Sequence, residues 1–83
     1  MPYIKDADRE KFEKSLQDMP YIENKGELEY VVFYLMKHYM FARAARYSTL
    51  HDVVYAVQHC ADEFRRRFLD KREDDAREAN GDV

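Results

Sequence analysis

A chain of 83 residues is one small domain, and a domain of this size hides only about 60% of the surface that its unfolded chain exposes. Hydrophobic residues make up 46% and charged residues 37%, which argues against a disordered chain and favours a globular one. The net charge of -3, with 14 Lys and Arg interleaved among 17 Asp and Glu, gives no electrostatic basis for nucleic-acid binding.

The cysteine count and the hydropathy of the chain indicate its cellular location. Cys60 is the single cysteine, so a disulfide framework within the chain and the usual zinc motifs are both excluded. The first residues are charged where a signal peptide has an apolar core. The apolar run at residues 30–42 spans only about 20 Å as a helix and contains Lys37 and His38, which is too short for a bilayer. The composition predicts a cytoplasmic protein without a membrane segment.

Few glycines and prolines, and no sustained alternation of polar and apolar residues, predict an all-α fold of one domain over residues 1–83. The first helix is predicted at about residues 6–17, with Asp6 or Asp8 as its cap. It is mostly charged, so we expect a lid over the rest of the molecule. Its narrow apolar stripe comprises Phe12, Leu16 and Met19.

The second helix is predicted at about residues 25–46. Asn24 can cap it, and Glu27 can return a hydrogen bond to the backbone of the cap. A helical projection gives this segment two apolar faces. The first face, expected to pack on the third helix, comprises Leu28, Val31, Val32, Leu35, Tyr39 and Ala42. The second face comprises Tyr30, Phe33, Tyr34, Met40 and Phe41, with Lys37 among them.

The third helix is predicted at about residues 49–79. Thr49 and Asp52 match the pattern of a capping box, and Asn80 and Gly81, the first residues of the tail 80–83, supply a stop. The projection places its apolar residues within one arc, which predicts the core of a helical bundle with two long antiparallel helices. This arc comprises Leu50, Val53, Val54, Val57, Cys60, Ala61, Phe64 and Phe68.

The second apolar face of the second helix has two interpretations. Either the first helix and residues 20–22 fold over it, or it stays exposed and meets another chain. Aromatic residues, Met and a cation are typical of interface centres. The predicted interface comprises Tyr30, Phe33, Tyr34, Lys37 and Phe41. An adjoining ligand or partner surface on the third helix comprises Tyr55, His59, Arg65, Arg66 and Leu69.

Candidate metal and catalytic residues are few. His51, His59 and Asp62 share one side of the third helix but extend over nearly three turns, which is too long for one ion. Cys60 projects into the apolar arc and is expected to be a small buried hydrophobic residue rather than a nucleophile. We therefore predict no catalytic residues, no metal site and no cofactor.

The basic run Arg65–Arg67 suggests an alternative function in nucleotide or nucleic-acid binding. The i,i+4 spacing of Asp62 with Arg66, and of Glu63 with Arg67, instead predicts local ion pairs on a solvated face. Nucleic acid is therefore not the expected partner.

A second alternative is enzymatic. Glu27, Glu78 and Asp82 give a faint resemblance to the carboxylate pairs with which all-helical nucleoside triphosphate pyrophosphatases hold magnesium. The last two of these residues stand at the end of the chain, where the helix of such an enzyme should continue.

Several short motifs carry a resemblance over nearly the whole chain. They are "MPYIK" followed by "DR", "GELEY", "YSTLHDVV", "CA", and "ED" before "NGDV". Together they are similar to a short uncharacterised protein family, a domain of unknown function found in bacteria and phages. The resemblance implies a small protein of bacterial or phage origin, and proteins of this kind often act by binding a host protein.

The function predicted from the sequence is a non-enzymatic protein-protein interaction module. It is expected to form a homo-oligomer through the second face of the second helix, and to bind a host or cellular protein.

Overall fold

The computed structural model describes residues 2–82 and confirms the all-α prediction, with helices and no strand in that range. A π-helical segment at Arg65–Leu69 joins the last two α-helices without a break. The α-helices are α1 at Asp6–Gln17, α2 at Lys25–Phe41, α3 at Tyr47–Phe64 and α4 at Asp70–Asn80. The chain therefore has three helical rods, the last of which is long and continuous.

The start of α1 differs from the prediction in its cap. Lys5 occupies the N-cap position and makes no side-chain capping hydrogen bond. Asp6 and Asp8, the predicted caps, lie in the first turn instead. There their negative charge favours the helix through its dipole.

The start of α2 follows its local signal closely. Asn24 is the N-cap, and its Oδ1 accepts the backbone N–H of Glu27 at 2.8 Å. The carboxylate of Glu27 returns a bond to the backbone N–H of Glu23 at 2.8 Å, not to that of Asn24 as predicted. The reciprocal bonding typical of a capping box is thus kept, displaced by one residue.

The end of α2 lies at Phe41, whereas the sequence predicted about Arg46. Arg43 explains the early stop, because its Nη1 donates to the carbonyl of Tyr39 at 3.1 Å. Its guanidinium also lies over the Tyr39 ring, 3.7 Å from the centroid. A cation that satisfies a C-terminal carbonyl in this way stabilises a helix end. The residues that follow then turn the chain towards α3.

The start of α3 also corrects the prediction. The helix begins at Tyr47 with Arg46 as N-cap, and no side chain caps it. Thr49, predicted as the cap, lies inside the first turn and is only 8% exposed. Its place in the contact between two helices overrides its local preference for a cap.

The contact between α2 and α3 is the tertiary packing that organises the fold. Half-buried or buried side chains recur every four residues on both helices, which is the spacing of one helical face. The row along the contact, which we name the seam, comprises Val32, Met36 and Met40 on α2 and Thr49, Val53 and Val57 on α3. Val53, 9% exposed, is the one buried hydrophobic residue between residues 2 and 82.

The helix α1 does not act as the predicted lid. Within residues 2–82 it contacts neither α2, α3 nor α4, and Phe12 and Leu16 are exposed. The radius of gyration is 16.5 Å, against about 12 Å for a compact chain of this length. The protomer is therefore extended, with a longest dimension of 51 Å.

The end of α4 carries the predicted stop. Gly81 follows Asn80 with a φ of 89°, and its N–H donates to the carbonyl of Arg77 at 2.8 Å. A positive φ favours glycine at this position. No helix between residues 2 and 82 has the length and apolar character needed to cross a membrane.

Candidate self-association surface

An apolar groove runs along one side of the α2–α3 contact, with a volume of about 440 Å³. From α2 it is lined by Val32, Leu35, Met36 and Tyr39. From α3 it is lined by Asp52, Val53, Ala56, Val57 and Cys60. We name this surface the groove. Apolar clefts of such volume commonly mark binding sites.

The groove overturns part of the predicted core. Leu35 and Tyr39 were expected to be buried against α3, but they are 53% and 39% exposed. Cys60, predicted to be a buried hydrophobic residue, is also exposed. On the long helix, most of the predicted core arc shares this exposure: Leu50, Val54, Phe64 and Phe68. Two helices packed along one seam cannot enclose side chains on both flanks of that seam.

The second face of α2 lies on the other flank of the seam. Tyr30, Phe33, Tyr34 and Phe41 are all exposed, because α1 does not cover them. The Nζ of Lys37 lies 5.6 Å from the centroid of the Phe33 ring, within cation–π range.

The remaining residues of this flank take different places. A hollow of about 460 Å³ at its C-terminal end is lined by Tyr34, Lys37, His38, Phe41 and Ala42. Met40, assigned to this face from the sequence, is instead half-buried at the seam. Residues 19–22 line a hollow together with Tyr30 and Val31 at the N-terminal end, but Tyr30 stays exposed, so the predicted covering by residues 20–22 is at most partial.

Tyr55 and His59, two residues of the predicted adjoining surface, belong to a ladder of rings along α3. His51 stacks between Tyr47 and Tyr55, at 5.6 and 4.2 Å between ring centroids. His59 continues the ladder at 6.3 Å from Tyr55. Each ring contacts the next one at i,i+4 spacing, so these histidines contact tyrosines along the helix rather than converging on an ion.

The basic run pairs differently from the prediction. Arg66 bonds to the carboxylate of Glu63 at i,i+3, and its predicted partner Asp62 is not used. Arg67, predicted to pair with Glu63, donates to the hydroxyl of Tyr3 at 3.0 Å. The π-helical turn accounts for the change of register, since Asp70 N–H reaches back five residues to the carbonyl of Arg65.

The other two residues of that surface are less engaged. The Arg65 side chain makes no hydrogen bond or ion pair with any residue from 2 to 82, and Leu69 is exposed. One free guanidinium out of three is little basis for a phosphate site.

The N-terminal arm, residues 2–5, is fixed to the long helix by Tyr3. The Tyr3 hydroxyl donates to Oε1 of Glu63 at 3.1 Å and accepts the bond from Arg67. The guanidinium of Arg67 also lies 5.8 Å from the centroid of the Tyr3 ring. We name this arrangement of Tyr3, Glu63, Arg66 and Arg67 the tyrosine latch. It joins residues about sixty positions apart and could not be inferred from local spacing.

The electrostatics of the latch centre on Glu63, whose side chain is 16% exposed. The hydrogen bond from Arg66 is the main cause that lowers the pKa of Glu63 below its usual value. Partial burial opposes this shift, and the Tyr3 hydroxyl adds to it. The same pair raises the pKa of Arg66. The latch therefore depends on an ionised Glu63.

This dependence predicts an acid-sensitive latch. A carboxylate whose pKa is lowered by folding stabilises the fold fully above its unfolded pKa, about 4.3, and progressively less as the pH falls below that value. We expect Glu63→Gln to lower the thermal midpoint at neutral pH, with a difference from wild type that shrinks below about pH 4. Thermal unfolding followed by circular dichroism from pH 3 to 8 measures this effect.

A matched control for the acid test is Glu13→Gln in α1. Within residues 2–82 Glu13 takes part in no ion pair or side-chain hydrogen bond, so its variant should follow wild type at every pH. If Glu63→Gln and wild type have the same midpoint at neutral pH, the latch does not stabilise the fold.

The carboxylates proposed for magnesium do not form a cluster. No three His, Cys, Asp or Glu side chains between residues 2 and 82 converge as metal ligands, a set that includes Glu27, Glu78 and Asp82. Glu27 is instead engaged at the N-terminus of α2. The same finding applies to His51, His59 and Asp62.

The family comparison adds a classification to this geometry. The model of DUF6899, a domain of unknown function, matches residues 1–83. The chain belongs to this family. No curated protein and no solved structure matched the chain. The resemblance to a domain of unknown function is thus confirmed, while the bacterial or phage origin stays a prediction. Membership in DUF6899 assigns no activity to the groove or to the latch.

Two features of this DUF6899 chain escaped the sequence interpretation. The tyrosine latch has no local signal in the sequence, because Tyr3 and Glu63 are 60 residues apart. The second feature was readable, because residues 30–51 contain Lys37, Arg43 and Arg46 but no Asp or Glu. By contrast, α4 carries five acidic and three basic residues. The charges therefore separate along the molecule, and the cationic end includes the exposed rings of Phe41 and Tyr47.

Proposed function

We propose that the protein is a non-enzymatic helical interaction module whose protomer is completed by a second copy. The groove is the self-association surface, and the antiparallel pair α2 and α3 of each copy forms half of a shared core. The second face of α2, with Tyr30, Phe33, Tyr34, Lys37 and Phe41, is the surface that we propose for a different protein, such as a host protein.

The observation that carries this proposal is the exposed area of the protomer. It amounts to 7931 Å², whereas a compact protein of 10.0 kDa exposes about 5,200 Å². Folding of one copy alone hides about 45% of the surface of the extended chain, against the 60% usual at this size. The excess of about 2,700 Å² per copy amounts to about 5,400 Å² for two copies, the size of a large obligate interface, since such interfaces cover about 2,000–5,000 Å² or more over both partners.

The groove, rather than the second face, is proposed for self-association because of its continuity with the α2–α3 seam. Val53 and Val57 belong both to the seam and to the groove, so a second copy placed there extends the existing core. A larger continuous core excludes water from more apolar area at about 25 cal/mol per Å². The second face shares only Met40 with the seam, and none of its aromatic rings lines the groove.

Light scattering coupled to size-exclusion chromatography tests the proposal directly. We expect the purified wild-type protein to have the mass of at least two 10.0 kDa chains at micromolar concentration. The proposal fails if a chain with full helical circular dichroism stays at the mass of one protomer even at high concentration. That outcome would mean that the exposed apolar area is tolerated by a stable monomer.

A further inference from the structure

The second half of the long helix has no helical neighbour within the described residues. We name it the unpaired half. Residues 47–80 form one continuous rod of about 50 Å, whereas α2 is about 25 Å long. Within residues 2–82, α2 contacts α3 but neither the π-helical segment nor α4. About half of the length of the rod therefore extends beyond α2.

The unpaired half carries its own apolar contact. Phe64 and Phe68 stack with 4.7 Å between ring centroids, and they are 65% and 54% exposed. Pro2 and Tyr3 of the N-terminal arm line a shallow hollow together with this pair, and both rings stay mostly open. We name these two rings the phenylalanine pair. Two exposed rings fixed against each other are a suitable anchor for a partner's pocket.

We infer that the phenylalanine pair of one copy occupies the groove of a second copy, with the two long helices antiparallel and Cys60 near the two-fold axis. This inference rests on the self-association proposed above and specifies its geometry. The contact is isologous, so each copy gives one pair and receives one. Each half of the resulting dimer contains three packed helices: α2, α3 and the unpaired half of the other copy's long helix.

The positions along the helix agree with this register. Phe68 lies eight residues after Cys60, and Asp52, at the far end of the groove, lies eight residues before it. Both separations are about 12 Å along a helix. An antiparallel copy related through Cys60 thus brings its Phe68 alongside Asp52 and its Phe64 alongside Ala56. Ala56 leaves room for a ring there, since its side chain is a single methyl group.

The charges agree independently of the apolar contact. The same register brings residues 70–73 of the second copy beside residues 47–50 of α3, and the rest of its α4 past the start of α3, towards the turn that carries Arg43 and Arg46. The acidic excess of α4 lies in residues 74–80, so it falls towards this cationic turn at both ends of the dimer. Such complementarity favours this register over a parallel arrangement, in which the acidic residues of α4 in one copy would face those of α4 in the other.

Two charge-introducing variants test the register by complementation. Leu35→Asp damages the groove and leaves the phenylalanine pair intact, and Phe68→Asp does the reverse. Each variant alone loses both contacts of the dimer, but a mixed dimer keeps one. We expect mass and helical circular dichroism to recover on mixing, with a mixed-dimer dissociation constant about 30-fold below that of either variant alone. Distinct affinity tags on the two variants isolate the mixed species.

A matched control is Tyr55→Asp, an exposed aromatic position on the same long helix that lies outside the groove and outside the phenylalanine pair. It should associate like wild type. A short bis-maleimide should also join two wild-type chains through Cys60, the single thiol.

The outcomes separate this inference from the proposed function. A wild-type dimer together with two variants that stay dissociated after mixing, or with thiols that the bis-maleimide does not join, overturns the antiparallel register only. A wild-type protein that is a helical monomer overturns the proposed function and this inference with it.

Discussion

Replacing Leu35 by Asp is expected to dissociate the wild-type assembly and to lower its helical content. Leu35 forms part of the groove wall and is 53% exposed in the single protomer. Loss of one buried anchor costs about 2 kcal/mol, and a symmetric dimer loses it twice. The sum of about 4 kcal/mol weakens the dissociation constant about a thousandfold. Light scattering and circular dichroism, recorded at the same concentrations, measure both effects.

The neighbouring residue provides the control for this experiment. Tyr34 lies on the same helix, is 57% exposed and does not line the groove. Tyr34→Asp introduces the same charge at similar exposure and should keep the wild-type mass. The reverse result, a dissociated Tyr34→Asp and an intact Leu35→Asp, would assign self-association to the second face of α2, as the sequence alone predicted. The pair of variants therefore decides between the two apolar flanks of the seam.

Local signals account for the parts of the fold that were predictable. The range of α1 and the beginning of α2 were both readable, because each depends on residues within one turn of the helix end. Asn24 caps α2 through a bond to a residue three positions away. Gly81 ends α4 through its own backbone conformation. Interactions of this range are encoded in consecutive residues, so periodicity and capping rules recover them.

Contacts between distant residues account for most errors. Thr49 has the spacing of a cap, but packing against α2 places it inside α3. Tyr3 bonds to Glu63, and this contact, with the π-helical turn, redirects Arg66 and Arg67 to other partners. A single sequence does not specify which distant segments meet. The i,i+4 rule assumed an undistorted helix and therefore named the wrong ion pairs.

The two apolar faces of α2 show what helical periodicity can and cannot predict. The projection identified the apolar positions, but it assigned one face to the core and the other to a partner. In the protomer the contact with α3 runs between them, along Val32, Met36 and Met40. Both predicted faces consequently flank the seam and stay exposed. Periodicity shows which side chains need burial, whereas the neighbours that bury them depend on the tertiary arrangement.

Dilution should unfold the protein, because one protomer buries little beyond Val53 and Thr49. The helices α1 and α4 have 12 and 11 residues, and isolated helices this short are marginal in water. Dissociation and loss of helix are therefore expected to be one transition. With an unfolding entropy of about 2.1 cal/mol/K per residue, the thermal midpoint of a dimer should fall by about 4 °C for each tenfold dilution. Circular dichroism melts over a hundredfold concentration range test this.

The variants distinguish coupled dissociation from ordinary instability. Tyr34→Asp should keep the concentration dependence of wild type, since its groove is intact. Leu35→Asp should have a lower thermal midpoint than wild type at every concentration. Its midpoint should rise when it is mixed with Phe68→Asp, because only the mixed dimer restores a groove contact. A wild-type midpoint that is the same at all concentrations would show that one copy carries its own stability. The small core around Val53 would then be sufficient, and the groove would have to be explained by a different partner.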